Sequence, residues 1–278
     1  MLPRLTDEEF RMWGEWLHDE LGHQWGPEKR EILRSRLEPR RAALGVDTYE
    51  QLLFHLKFHP DRAAERESIV PYLTNNESYF RRERGTLDVV EREILPELQR
   101  TVGARGGEVR ILSAACSTGE EAYTLGAMVH GAAGRARITG VDVDPRALER
   151  ARAGVYRDHA FRGTDEEFRA RFFTPRPDGA WEVRPEVKRM VEFRRANLVE
   201  SEWRAALPPQ HLVFCRNVLI YFGPEGVRRA AEGLYQVLAP GGYLFLGHAE
   251  SLRSVPVPFQ LERRPGAIFY RRPVDDTR

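Results

Sequence analysis

The residues best placed for chemistry begin where an apolar run, Arg110-Ile111-Leu112-Ser113, passes into small residues and a helix start, Ala114-Ala115-Cys116-Ser117-Thr118-Gly119-Glu120-Glu121. Small side chains let a ligand approach the backbone, and the first turn of a helix offers it unpaired N–H groups. The turn carries neither the G-x-G-x-x-G spacing of a dinucleotide site nor the G-K-[ST] ending of a phosphate loop, so a nucleoside poor in phosphate fits it better than a pyrophosphate. Asp142 ends the next apolar run, about twenty residues past Gly119, where a doubly wound fold places the acid that accepts from ribose hydroxyls. Asp144 reads instead as a helix N-cap, because Pro145 follows it. Arg216, Asn217 and Tyr221 lie just past a third apolar run, at the strand edge where open α/β sheets bind ligands. A ligand-free β-α turn, a turn asparagine at 217 and a core tyrosine at 221 are the plain structural alternatives.

Leu73-Thr74-Asn75-Asn76-Glu77-Ser78-Tyr79-Phe80-Arg81-Arg82-Glu83 is polar and aromatic, and joins a helical part to a strand-rich part. A loop at such a junction is well placed to close over a site. His55 and His59 stand four apart on an expected helix, but no third ligand or H-E-x-x-H glutamate accompanies them, so no metal is expected. Cys116 and Cys215 read as small apolar residues, and His248 as structural or substrate-side.

The elements that must position these residues are legible in outline. Thr6 with Glu9 and Asp47 with Glu50 read as capping boxes, and Gly45 as a helix stop. Helices are expected over 6–21, 27–44, 47–58 and 61–72, then a link over 73–85 and a helix over 86–100. After Gly106-Gly107 the pattern alternates: strands at 109–114, 138–142, 191–196, 212–215 and 243–247, helices at 120–129, 145–153 and 224–238. That alternation predicts an α/β fold with a doubly wound, mostly parallel sheet. A terminal hairpin, 259–263 and 267–271 around Pro265-Gly266, would add an antiparallel strand, and a small β element is expected over about 173–191 with Asp178-Gly179 at its turn. The expected domains are 1–85, helical with the junction loop, and 86–278, carrying the sheet.

The chain has 43 Lys+Arg against 42 Asp+Glu, a formal charge of +1, which does not mark a nucleic-acid binder. Only two cysteines occur, 41% of residues are apolar, and no run approaches the ~20 apolar residues of a membrane span. A cytoplasmic monomer without membrane insertion is expected. The segment 27–44 holds Lys29, Arg30, Arg34, Arg36, Arg40 and Arg41 against Glu28, Glu31 and Glu38, a candidate basic docking face.

Taken in order, the motifs resemble those of the chemoreceptor glutamate methyltransferases, the CheR family. The matching stretches are T-N-N-E-S-Y-F-R-R at 74–82, S-A-A-C-S-T-G-E-E at 113–121, Asp142-Val143-Asp144, Asn197-Leu198, F-C-R-N-V-L-I-Y-F at 214–222 and L-A-P-G-G-Y-L-F-L-G-H-A-E at 238–250. Arg81 stands for a frequent phenylalanine and Ala122 for a frequent proline. The resemblance implies a class I, Rossmann-like methyltransferase with an S-adenosylmethionine site, S-adenosylhomocysteine being the product. In it Asn76, Ser78 and Arg82 come from the junction loop and Glu121 from the first sheet helix. Asp142 would hold the ribose, Asn197 and Leu198 would flank the adenine, Arg216 and Asn217 would close the floor, and Arg82 and Tyr221, the catalytic pair, would lie nearest the methyl. It also implies esterification of glutamate γ-carboxyls on the cytoplasmic helices of bacterial chemoreceptors, in chemotactic adaptation. A glutamate side chain, ordinarily titrating near ~4.3, is already ionised and needs no general base. The alternatives are another substrate for the same fold, nucleic acid included, or a nucleoside-binding regulatory adaptor. The loop at 174–181 is short and holds Pro175 and Pro177, so it is poorly equipped to add a peptide strand, and a tether to a receptor's C-terminal tail is not expected.

Overall fold

The computed structural model describes residues 3–274. Thr6 opens the first helix, α1 (Asp7–Leu21), through the expected capping box: its hydroxyl accepts the Glu9 N–H at 3.2 Å and its own N–H donates to the Glu9 carboxylate at 2.8 Å. Three more helices follow, α2 (Arg30–Leu44) after a 3-10 turn at Pro27–Lys29, α3 (Tyr49–Phe58) and α4 (Arg62–Leu73). The second expected capping box is displaced by one residue. Thr48, not Asp47, caps α3, because Glu9 reaches across from α1 and takes the N–H groups of Tyr49 and Glu50 at 2.9 and 3.1 Å. These helices close on Trp13, Leu17, Leu33, Leu37, Leu52, Leu56 and Ile69, each fully buried. The expected basic face is largely neutralised: Arg30 pairs with Asp7, Arg34 with Glu31, Arg40 with Glu65 and Arg41 with Glu38, while Arg36 bonds the Leu73 carbonyl.

The helix expected over 86–100 starts earlier and changes pitch. It runs as α5 (Arg84–Val89), a π turn at Val90–Ile94, and α6 (Leu95–Gly103). Pro96 has no N–H to donate, and the wider turn just before it carries the Leu95 N–H to the Val90 carbonyl.

Strand–helix alternation then builds β1 (Val109–Ala114), α7 (Glu120–Gly131), β2 (Ala136–Asp142) and α8 (Pro145–Ala153), and next a small subdomain. The subdomain is larger than the expected 173–191: it begins with a two-residue strand, β3 (Val155–Tyr156), and includes α9 (Glu166–Phe172), β4 (Phe173–Pro175), β5 (Trp181–Val183) and α10 (Pro185–Lys188). Val191 starts β6 (Val191–Arg195) of the main sheet, as expected. The chain ends in β7 (Gln210–Cys215), α11 (Pro224–Val237), β8 (Leu238–Leu246), β9 (Gln260–Arg264) and β10 (Ala267–Arg271).

The seven-stranded sheet has the order β6-β2-β1-β7-β8-β10-β9, parallel except that β10 is antiparallel to both neighbours. Strand order reverses between β1 and β7, so the crevice lies at their carboxyl ends, where Ala114 is in register with both Val141 and Cys215. The three-stranded sheet, β3-β5-β4, covers an aromatic cluster that receives Phe80 of the junction loop, fully buried and stacked on Phe161 at 5.0 Å. Among the described residues no helix is long and apolar enough to cross a membrane.

Candidate functional site

The turn leaving β1 takes unusual backbone. Ala115 (φ 58°) and Ser117 (φ 51°) are left-handed, as are Arg81, Glu83 and Asn217, and these are five of the six non-glycine residues with positive φ among the described residues. Arg81, Ala115, Ser117 and Asn217 line one crevice, and Glu83 adjoins it through Arg216 and Asn217. Such conformations cost energy unless neighbours over-determine them, and they gather at binding sites.

Asp142 ends β2 with one carboxylate oxygen on the Ser117 N–H at 2.7 Å and the other on the Asp144 N–H at 2.9 Å. Burial pushes its carboxyl up to about 6, against the pull of those backbone donors. Asp144 caps α8 as expected, accepting from Arg146 and Ala147, and also anchors the junction loop, taking the Thr74 hydroxyl at 2.9 Å and the Asn76 amide at 2.6 Å. The Ser117 hydroxyl donates to the Asn76 carbonyl at 3.1 Å, and Ser78 bonds the buried Glu120 carboxylate. The loop is therefore pinned to both turns at the sheet edge.

Arg216, its side chain 3% exposed, sits between two carboxylates, Glu83 at 3.1 Å and Glu121 at 3.2 Å, and donates to the Arg82 carbonyl at 2.6 Å. Burial raises the Glu121 carboxyl despite Arg216. For Glu83, burial is outweighed by Arg216, His248 and Asn217, which hold it below the usual range. Arg216 Nε is buried without a protein partner. The Arg82 guanidinium donates to Asn217 Oδ1 at 2.9 Å, and the Tyr221 hydroxyl accepts from Asn75 at 2.8 Å.

The helical part contributes a wall. Gln24 donates to the Tyr221 carbonyl and Gly223 to the Gly22 carbonyl, both at 2.9 Å, setting the His23 ring 5.7 Å from Phe222. Burial, with Arg36 and Lys29 nearby, lowers the His23 pKa to about 4, so the ring is neutral near pH 7. Asn197 commits its amide to the Glu20 carbonyl at 2.6 Å and to Glu200 at 3.0 Å, tying the loop after β6 to α1.

Asn76, Ser78, Arg82, Glu121, Asp142, Asn197, Leu198, Arg216, Asn217 and Tyr221 all line a single cleft enclosing about 1030 Å³, open mouth included. Sequence reasoning missed Glu83 and His23, and Glu250 just behind the wall. The His248 ring lies at 3.1 Å from Glu83, exposed, at the edge of this network. His55 and His59 do gain a third potential ligand, contrary to expectation: Glu65 of α4 brings the donor atoms within 4.8 Å of one another. Arg40 already holds that carboxylate, however, and His59 Nδ1 accepts the Asp61 N–H at 3.1 Å.

A family profile described as CheR methyltransferase, SAM binding domain matches residues 76–267, and one described as CheR methyltransferase, all-alpha domain matches residues 8–74. Chemotaxis protein methyltransferase 1 of Pseudomonas aeruginosa is 34% identical over 277 residues, 96% of this chain and 98% of that one. Chemotaxis protein methyltransferase Cher2 of Pseudomonas putida is 33% identical over 95% of this chain and 97% of its own. A chemotaxis protein methyltransferase of Vibrio parahaemolyticus is 34% identical, over 95% and 97%.

Proposed function

Because this chain belongs to the CheR methyltransferase family, we propose that it esterifies glutamate γ-carboxyls on the cytoplasmic helices of bacterial chemoreceptors. The chain is a methyltransferase that uses S-adenosylmethionine, and its residues fit that group. Asp142 lines the cleft as an acceptor for hydroxyl groups, Glu121 lines it beside the buried Arg216, and the turn after β1 brings the small residues Ala115, Cys116 and Ser117 to its wall. When bound, the donor supplies a methyl group on positively charged sulfur.

In this reading Asp142 holds the ribose, and Asn197 and Leu198 flank the adenine. Asn76, Ser78, Glu121, Arg216 and Asn217 frame the rest of the donor. Arg82 and Tyr221 orient the incoming carboxylate, the guanidinium fixed by Asn217 and the hydroxyl by Asn75. Transfer of a methyl cation to a carboxylate consumes charge and asks for in-line alignment in a dry pocket. No proton has to be removed, because the acceptor carboxyl, ordinarily titrating near ~4.3, is already ionised. The observation that carries the proposal is that the carboxylates of this cleft already have partners, Asp142 the Ser117 and Asp144 N–H groups and Glu121 the Ser113 hydroxyl and Arg216, and that His23, lowered to about 4, is a weak base, which leaves an orienting site. Residues 1–85 would dock the receptor and close the cleft, and 86–278 would carry the donor. A working compartment in the cytoplasm, a monomeric enzyme, and recognition of the receptor body without a tail tether complete the reading. The loop between β4 and β5 supports the last point: it is closed on itself by the Arg176 N–H bonding the Ala180 carbonyl at 2.8 Å.

The test is mass spectrometry of a receptor cytoplasmic fragment incubated with enzyme and donor. Addition of single methyl groups to glutamate-bearing peptides is the expected result, and methylation confined to other side chains would overturn it.

A further inference from the structure

Glu250 lies outside the cleft lining, yet among the described residues no other carboxylate gathers so many backbone donors at the site. One oxygen takes the N–H groups of Gly247 at 2.7 Å and Asn217 at 2.8 Å, and the other takes those of Val218 at 2.9 Å and Leu219 at 2.7 Å. We infer that Glu250 is a positioning residue for methyl transfer: it fixes the turn after β7 so that Asn217 and Tyr221 hold the reacting edge of the cleft. The inference rests on the roles proposed above for Arg82 and Tyr221.

The turn would not hold this shape by itself. Asn217 is left-handed at φ 60°, a conformation that asparagine tolerates but does not prefer over extended backbone. Three successive N–H groups, 217 to 219, point at one spot and form a concavity for an anion, ahead of the 3-10 turn Leu219–Tyr221. A carboxylate there makes charge-assisted bonds, each stronger than a neutral one. The fourth donor, Gly247, follows β8, so the same group stitches the ends of neighbouring strands together. Gly247 has no room for a side chain: a Cβ would stand 2.7 Å from Glu250 Oε2 and 3.0 Å from the Asn217 nitrogen. From this turn the Asn217 carboxamide reaches Arg82 at 2.9 Å, and Tyr221, at the end of the 3-10 turn, reaches Asn75 at 2.8 Å.

Glu250→Gln preserves the shape but turns an NH2 group toward two of the four donors. Gly247→Ala keeps the charge and displaces one oxygen. Each should lower kcat for methylation of a receptor fragment by about tenfold or more, since small misplacements near reacting atoms are costly. Each should raise the Kd for S-adenosylhomocysteine by a clearly smaller factor than it lowers kcat, because Asn217 also frames the donor while alignment is felt most in the transition state. If Glu250 works through this turn, adding Tyr221→Phe to Glu250→Gln should cost much less than the product of the single losses. Amide hydrogen exchange needs no methyl acceptor: the amides of 217, 218, 219 and 247 should be protected in the wild type and exposed in Glu250→Gln. Undiminished kcat in both variants, equal losses in rate and affinity, independent effects of the two substitutions, or free exchange in the wild type would each overturn the inference. A wild-type enzyme that leaves the fragment unmethylated would refute the functional reading instead, with the exchange data still deciding the clamp.

Discussion

Lowering the pH from 7 to 5 should weaken cofactor binding through one carboxyl. Asp142 is 7% exposed, and burial raises its pKa from 3.8 to about 6 because the backbone N–H groups of Ser117 and Asp144 compensate the lost water only in part. Ribose hydroxyls are donors, so they need the ionised acceptor; the protonated form fills one oxygen with hydrogen. Above pH 6 most molecules are competent, and at pH 5 only about one in ten is. The apparent Kd scales inversely with that fraction, giving a loss of about tenfold, or ~1.4 kcal/mol, between pH 7 and 5. Binding favours the charged form, so cofactor association near pH 6 should release about half a proton per site. Calorimetry with S-adenosylhomocysteine in buffers of different ionisation enthalpy measures both. Glu120 and Glu121 are also raised by burial, and Asp142→Asn separates them: the variant should bind more weakly at pH 7 and lose the steep dependence. A wild-type Kd that is flat from pH 5 to 7, or an unchanged slope in Asp142→Asn, would refute the reasoning.

Arg82→Ala and Tyr221→Phe should each reduce kcat more than cofactor affinity, measured by steady-state kinetics beside calorimetry; matched losses would make them ordinary binding residues. Gly22→Ala should lower both Tm and activity, because its Cβ would stand 2.6 Å from Val199 Cγ1 at φ +71°, beside the strap that holds the Tyr221 carbonyl. Arg41→Glu should chiefly destabilise the helical part by placing like charge against Glu38; slower receptor methylation at an unchanged Tm would restore the basic docking face. Removing the receptor's C-terminal tail should leave the methylation rate within about twofold, and a large loss together with micromolar binding of the isolated tail peptide (~8 kcal/mol) would establish a tether.

Local physics was readable where it acts within a few residues. The Thr6–Glu9 box, the Asp144-Pro145 helix start, and the strands at 109–114 and 267–271 follow from neighbours in sequence, and all stand as expected. Partners far along the chain were not readable. Glu9 displaced the α3 cap from Asp47 to Thr48 by reaching forty positions ahead to Tyr49. Val155–Tyr156 is too short to show a strand period and exists because β5 pairs with it. The cleft lining was legible because its residues cluster in strand-end motifs. Glu83 and Glu250 were not, since Glu83 holds an arginine more than a hundred residues away and the partners of Glu250 are backbone N–H groups that leave no mark in side-chain composition. Two signals were available: a Gly-x-x-Glu pattern just past a strand end, and a charged pair closing the junction loop. His23 follows the Gly22 helix stop, and nothing in the sequence tells that it will lie against Phe222.

The central claim, ester formation on glutamate, is tested most directly by the chemical lability of the transferred methyl group. Enzyme, methyl-labelled donor and a receptor cytoplasmic fragment are incubated, and the labelled protein is then treated with mild alkali. The account predicts label on the receptor fragment that is released as volatile methanol, and none on a fragment whose acceptor glutamates are replaced by alanine. Label that survives alkali, as on nitrogen or carbon, or that persists on the alanine fragment, would contradict it.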